Sequence, residues 1–313
     1  MSRILITGAT GFVGRGLCSR LGSEGRDMRC ALRHPSSLAN AVVVGDIGPE
    51  TDWEQALSGV DTVIHLAARA HVMNDSSSDP LAEFRRVNVA GTLNFAQHAA
   101  AAGVKRFIFL SSVKVNGEQT APGRPFTEQD SPAPQDPYGI SKHEAEEGLH
   151  RLSTETGLEI VIIRPPLVYG PGVKGNFAGM MRWIGKDIPL PLGAIRNQRS
   201  LVALDNLVDF IITCIDHPAA ANQTFLVADG EDLSTTELLR RVGQAMGKPA
   251  RLIPVPMSVL KFGARLLGKQ AMAQRLCGNL QVDISKAREV LGWEPPVRVG
   301  EGLGKAARER ESK

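Results

Sequence analysis

The chain is 313 residues long and 42% hydrophobic, with 36 basic against 33 acidic side chains and a formal net charge of +3. That supports the buried core of one large or two modest domains, and so small a cationic excess argues against nucleic-acid binding, which needs cations gathered on one face. Cys18, Cys30, Cys214 and Cys277 stand apart in sequence, fit neither a disulfide framework nor a zinc site, and read as reduced thiols. The opening "MSRILITGAT" reaches a glycine turn too early for a secretory leader. No apolar run approaches the roughly 20 residues of a membrane span, so the expected location is the cytoplasm.

In chain order, "RILIT", "MRCAL", "AVVVGD", "TVIHLA", "RFIFLS" and "IVIIRP" predict six strands, with helix-like stretches between several of them, as in "NVAGTLNFAQHAAAAG". Strands that read as continuous apolar runs are buried on both faces, which predicts an α/β fold with a doubly wound parallel sheet of the Rossmann type. Gly103 and Gly157 follow helical stretches as C-terminal caps. After Pro165 the regular order ends in "RPPLVYGPGVKGNF" and "DIPLPLG", both rich in proline and glycine. The expected division is a dinucleotide-binding domain over 1–164 and a smaller mixed substrate domain over 165–313. Within the second part, "RSLVALDNLVDFIITCIDH" predicts a strand and helix near 200–217 that return to the main sheet.

Gly8, Gly11 and Gly14 lie between the first strand and the helix after it, the arrangement that lets backbone amides approach a pyrophosphate at a helix N-terminus. Thr10 adds a hydroxyl, and Phe12 and Val13 add amides. An acid at the end of the second strand would bond the adenosine ribose of NAD and repel the extra phosphate of NADP. The segment "RCALRHP" has none there. Arg33 stands in its place and Arg15 follows the last glycine, so both are candidates for that phosphate. Asp46 and Ile47 close the third predicted strand, where they would flank the adenine or, for Asp46, cap the next loop. The expected cofactor is NADP(H), with NAD(H) as the alternative.

Ser112 directly follows the fifth predicted strand, and 26 residues later "YGISK" places Tyr138 and Lys142 four apart on one face of a helix. A phenol works as a base near neutral pH only where positive charge favours its phenolate, so a lysine one turn away is the partner the chemistry requires. Ser112 would bond and orient the same substrate oxygen. These three are the expected catalytic residues.

With "TGATGFVG", "GDI", "HLAA", "VNVAGT", "FLSS", "YGISK" and "RPPLVYGP", the chain resembles the extended short-chain dehydrogenase/reductase family, in its group of sugar-nucleotide epimerases, dehydratases and ketoreductases. The resemblance runs on through "RSLVALDNL" and "VDISKAREVLGWEPP". It implies that Leu66, Ala67, Ala68 and Asn88 line the cofactor channel, that Pro165 follows the strand beside the nicotinamide, and that Lys142 also holds the nicotinamide ribose. It implies further that Arg199 reaches a nucleotide diphosphate, with Asn176 and Arg275 as further substrate candidates, and that the chain forms a homodimer. Family dehydratases carry an acid pair after the catalytic serine or threonine; here Val113 and Lys114 stand there, which argues against dehydration and leaves Lys114 as a substrate candidate. Asn116 replaces a tyrosine common in epimerases, and Leu167 replaces a common substrate asparagine. The stretch "SSVKVNGE" is similar to a subgroup acting on N-acetylated 6-deoxysugars in surface polysaccharide synthesis.

The expected function is therefore NADPH-dependent reduction at C4 of a UDP-4-keto-6-deoxy-(N-acetyl)hexosamine. A UDP-sugar 4-epimerase, using the same three residues, is the alternative. A dinucleotide sensor without catalysis is a third reading, one that would need neither Tyr138 nor Lys142. The basic amphipathic "PMSVLKFGARLLGKQAMAQRLCG" reads as a lid helix, with attachment to a membrane surface as its alternative if the sugar rides on a polyprenyl lipid.

Overall fold

The computed structural model describes residues 3–36, 38, 40–70 and 79–311. The six expected strands form β1 (Ile4–Thr7), β2 (Met28–Leu32), β3 (Ala41–Val43), β4 (Thr62–His65), β5 (Arg106–Leu110) and β6 (Glu159–Arg164). Two short strands follow, β7 (Leu167–Tyr169) and β8 (Leu201–Ala203), and then β9 (Gln223–Leu226). The main sheet runs β3-β2-β1-β4-β5-β6-β9, every pairing parallel. This is the doubly wound fold that the apolar runs predict, with its crevice at the C-terminal strand ends where the order reverses between β1 and β4.

Alternate residues of these strands feed two cores. Ile4, Ile6, Ile64, Ile108, Val161 and Ile163 face one side, against Leu17 and Leu21 of the helix Phe12–Ser23 and Leu207 and Phe210 of the helix Leu204–Asp216. Leu5, Val63, Phe107, Phe109, Ile160 and Ile162 face the other, against Phe95 of the helix Gly91–Ala101 and Leu149 of the helix Pro137–Thr156. Burial on both sides is why the runs lack polar alternation. A third cluster gathers Tyr169, Phe177, Met181, Leu201, Leu239 and Leu303 beyond β6.

The segment near 200–217 divides its two elements. Its strand β8 pairs with β7 in a separate two-stranded sheet, while its helix packs on the main sheet. The seventh strand of the main sheet is β9, which the sequence pattern does not announce. Another departure concerns the thiols: the fold brings Cys18 and Cys30 together, Sγ to Sγ 3.8 Å, with all four cysteines free. No described helix is long and apolar enough to cross a membrane.

The approach of the first helix to β1 depends on Gly14. A Cβ there would lie 2.1 Å from the Gly8 carbonyl oxygen and 2.7 Å from the Ala9 Cα, both rigid backbone atoms. Gly14→Ala is therefore expected to cost about 3 kcal/mol, the upper end for overpacking, measured as a lowered urea midpoint. An unchanged midpoint would mean that the helix retreats from the strand freely.

Candidate active site

The turn after β1 is shaped for a phosphate. Gly8 has φ +72°, open to glycine without strain, and Gly11 N–H donates to its carbonyl at 2.9 Å. The helix begins at Phe12 with no side-chain cap, and its first bond runs from Arg15 N–H to the Gly11 carbonyl, 3.0 Å. The amides of Phe12, Val13 and Gly14 precede that bond and lack partners within the helix, at its positive end. Thr10 and Arg15 are exposed beside them. These are the features of a pyrophosphate cradle, and the residues present fit a dinucleotide.

At the ends of β2 and β3, Arg33 Nε lies 2.8 Å from Asp46 Oδ1, both side chains largely exposed. The acid absent from the end of β2 is thus supplied beside Arg33 from the next strand, with Ile47 following. Leu66 and Ala67 are half-buried and Ala68 exposed after β4, across from the glycine turn; a Cβ on Gly8 would lie 2.8 Å from Ala67 N. Asn88, buried in a π-helical turn (Arg85–Ala90), holds that loop: Arg69 N–H donates to its Oδ1 at 2.8 Å, and its Nδ2 donates to the Arg69 carbonyl and to Ser141 Oγ, each at 3.0 Å. Asn88 therefore fastens the loop after β4 to the Tyr138 helix.

Ser112 caps a single turn, Val113–Val115, accepting from Lys114 N–H at 3.2 Å. The strand end is pinned by Ser111 N–H to the Ile163 carbonyl, 2.7 Å, and Val113 N–H to the Pro165 carbonyl, 3.0 Å. The next clamp reaches the Tyr138 helix, which Asp136 starts by accepting from Gly139 N–H at 2.7 Å. Lys114 Nζ binds the same Asp136 and lies 3.6 Å from Glu118. Lys114, a substrate candidate in the sequence, is thus occupied in joining the Ser112 turn to that helix.

Tyr138 is half-buried, edge-on to Phe84, while Lys142 is 1% exposed with Nζ 3.9 Å from the centre of the Phe109 ring. Burial, then the charge of Asp136, pushes the phenol up to about 12. Burial pulls the lysine down to about 7, opposed by Glu146. Glu146 lies one turn beyond Lys142 and is buried with Arg164, whose Nε donates to its Oε1 at 3.0 Å. Ser111 Oγ also donates to Glu146, and Arg164 Nη1 donates to Asn116 Oδ1 at 3.0 Å. His65, buried between Thr7 and Thr92, is held neutral, its value lowered to about 3 by burial and then by Lys142. Sequence reasoning passed over Glu146, Arg164 and His65; the four-residue step from Tyr138 through Lys142 to Glu146 was the legible signal for the first.

Farther along, Arg199 is half-buried and donates to the carbonyls of Arg275 and Gly278, 3.0 and 3.2 Å. It pairs with no carboxylate among the described residues, and burial lowers its pKa. The Arg275 side chain is exposed, and that of Asn176 lies outside the described residues.

A parallel Rossmann sheet with a glycine turn after β1, a serine after β5 and a Tyr–Lys helix defines an extended short-chain dehydrogenase/reductase. The pattern of the NAD dependent epimerase/dehydratase family matches residues 4–228. A UDP-glucose 4-epimerase of Vibrio cholerae is 51% identical over 308 residues, covering 97% of this chain and 94% of that protein. The N-acetyl-alpha-D-glucosaminyl-diphospho-ditrans,octacis-undecaprenol 4-epimerase of Escherichia coli O157:H7 is 28% identical, over 96% and 92%. Among solved structures, the UDP-glucose 4-epimerase of Thermotoga maritima with UDP-glucose aligns at TM-score 0.78 and 25% identity, covering 99% of each chain. The chain belongs to the NAD dependent epimerase/dehydratase family.

The depressed lysine has a measurable sign. Between about pH 7 and the ordinary lysine value, the unfolded chain carries a proton that folded Lys142 has lost, so stability rises with pH across that window. Without cofactor, Lys142→Met is expected to remove this contribution, making its thermal midpoint flatter than wild type between pH 7 and about 10. Parallel curves for the two proteins would place the Lys142 pKa at its ordinary value.

Proposed function

We propose that this chain is a UDP-sugar 4-epimerase that keeps NAD through its cycle, in place of the net 4-ketoreductase that the sequence puts first. The observation that carries the reading is the 51% identity, over 97% of the chain, to a UDP-glucose 4-epimerase, combined with a Ser–Tyr–Lys set that serves C4 chemistry. Phe12 and Val13 amides, Thr10 and Arg15 would hold the pyrophosphate, Leu66, Ala67 and Ala68 would line the channel, and Lys142 would bond the nicotinamide ribose. When bound, the nicotinamide supplies the acceptor and then the donor of the C4 hydride.

The chain's own part is proton handling and orientation. Tyr138 takes the proton of the sugar 4-hydroxyl as the carbonyl forms and returns it to that oxygen after the ring has turned its other face. Ser112 bonds the same oxygen throughout. Left alone the phenol sits near 12, so its ionisation near neutrality depends on positive charge in the site, and Lys142 in its protonated form is the cation placed one helical turn away. Arg199, held only by main-chain carbonyls, is the residue proposed to meet the UDP diphosphate.

The net reductase remains as a second reading because no acid ends β2 and Arg33 stands there. Its ion pair with Asp46 is exposed and therefore cheap to exchange for a 2′-phosphate.

Incubation of UDP-glucose with the purified protein and no added cofactor is expected to yield UDP-galactose, with NAD released on denaturation. Tyr138→Phe should lower that rate by about 10²–10⁴-fold, the range for a lost general acid–base, while NAD content is retained. No interconversion, accompanied by stoichiometric NADPH oxidation on a UDP-4-keto-6-deoxysugar, would replace the epimerase with the reductase.

A further inference from the structure

The most uneven part of the surface lies far along the chain. From residue 238 to 282 the sequence contains no acidic residue and eight basic ones, although the whole chain is only +3. The rest of the molecule is therefore net acidic. Arg240, Arg241 and Arg251 of that stretch pair with acids outside it. Lys261, Arg265, Lys269 and Arg275 form no ion pair among the described residues, and all four are exposed.

The same stretch concentrates apolar exposure. Six of the eleven large hydrophobic side chains exposed among the described residues fall between 253 and 272: Ile253, Val259, Phe262, Leu266, Leu267 and Met272. On the helix Met257–Leu266, the inner residues Met257 and Leu260 pack against the third core cluster. Val259, Phe262 and Leu266, spaced three and four apart, form a second apolar face turned outward, with Phe262 64% and Leu266 72% exposed. A helix apolar on two faces is normally covered on both, and here only one is. The helix Gln270–Cys277 follows it, with Met272 exposed.

We propose that the segment Met257–Cys277 is a docking surface for an anionic membrane. The charge pattern selects this occupant. Apolar side chains flanked by cations without ion pairs among the described residues, in a stretch of sequence that has no acid, suit a layer that offers negative headgroups above hydrocarbon. A second copy meeting the same face by two-fold symmetry would set Lys261, Arg265 and Lys269 against their own copies, unfavourable without acids between them. The second of these helices carries the Arg275 carbonyl, and Gly278 directly after it the other carbonyl, that hold Arg199.

The test is co-sedimentation of the full chain with vesicles of phosphatidylcholine alone and of phosphatidylcholine with phosphatidylglycerol. Wild type is expected to sediment with the anionic vesicles, to stay in solution with the neutral ones, and to be released by salt. The double variant Lys261→Glu with Arg265→Glu should partition at least about tenfold less, since each basic side chain near an anionic surface contributes a factor of about five. Phe262→Ser with Leu266→Ser should lose binding while its thermal midpoint, used as the folding control, stays at wild type. Absence of sedimentation with either vesicle, or equal sedimentation with both, would overturn the proposal. So would dissociation of an oligomer by Phe262→Ser and Leu266→Ser, seen by sedimentation velocity without vesicle binding, which would assign the face to a second copy. None of these readouts uses sugar turnover, so this inference and the proposed reaction fail separately.

Discussion

The buried ion pair between Glu146 and Arg164 is the contact on which the candidate site rests. Glu146 comes from the helix that carries Tyr138 and Lys142, and Arg164 from the end of β6. Each reaches farther: Ser111 Oγ donates to the carboxylate, and the guanidinium donates to Asn116 beyond the Ser112 turn. One pair thus ties the helix that carries Tyr138 and Lys142 to the end of β6 and, through Ser111 and Asn116, to the turn that Ser112 caps. Removing one partner from such a pair costs about 3–5 kcal/mol, because the other is left as an unpaired buried charge. Both side chains are buried and bond only within the protein, so the part argued for the pair is positional.

Around that pair, burial sets the electrostatics. Burial drives the phenol of Tyr138 and the ammonium of Lys142 toward their neutral forms. The neutral His65 and the Phe109 ring, which stack on each other, add no competing charge beside Lys142. Glu146 counters part of the desolvation of Lys142 and so links the positional network to the chemistry. The amides that open the helix Phe12–Ser23 and the carbonyl-held Arg199 are the complementary positive features.

Much of this was legible in the sequence because it is local. Six parallel strands followed from apolar runs without alternation, and the glycine turn and the Tyr–Lys spacing are short-range patterns whose geometry a strand or helix fixes at once. The main sheet's last strand was not legible: β9 is four residues, "QTFL", and its place beside β6 comes from long-range pairing. The same holds for the partners of charged residues. Arg33 looked like a free cation in "RCALRHP", yet Asp46, thirteen positions on, comes to its side only because β2 and β3 are neighbours. Lys114 likewise meets Asp136 across a loop of more than twenty residues.

By itself the sequence determined the doubly wound fold, the glycine turn at the first helix and the four-residue step from Tyr138 to Lys142, because period and spacing encode local geometry directly. Tertiary structure alone decided which charges are buried, which are paired and which face solvent. It joined Glu146 to Arg164 across 18 residues, brought Cys18 and Cys30 into contact, and left one face of the helix Met257–Leu266 bare. The reason is physical: a side chain's solvation and its ion-pair partners depend on what the fold carries next to it, and neighbours distant in sequence leave no periodic trace.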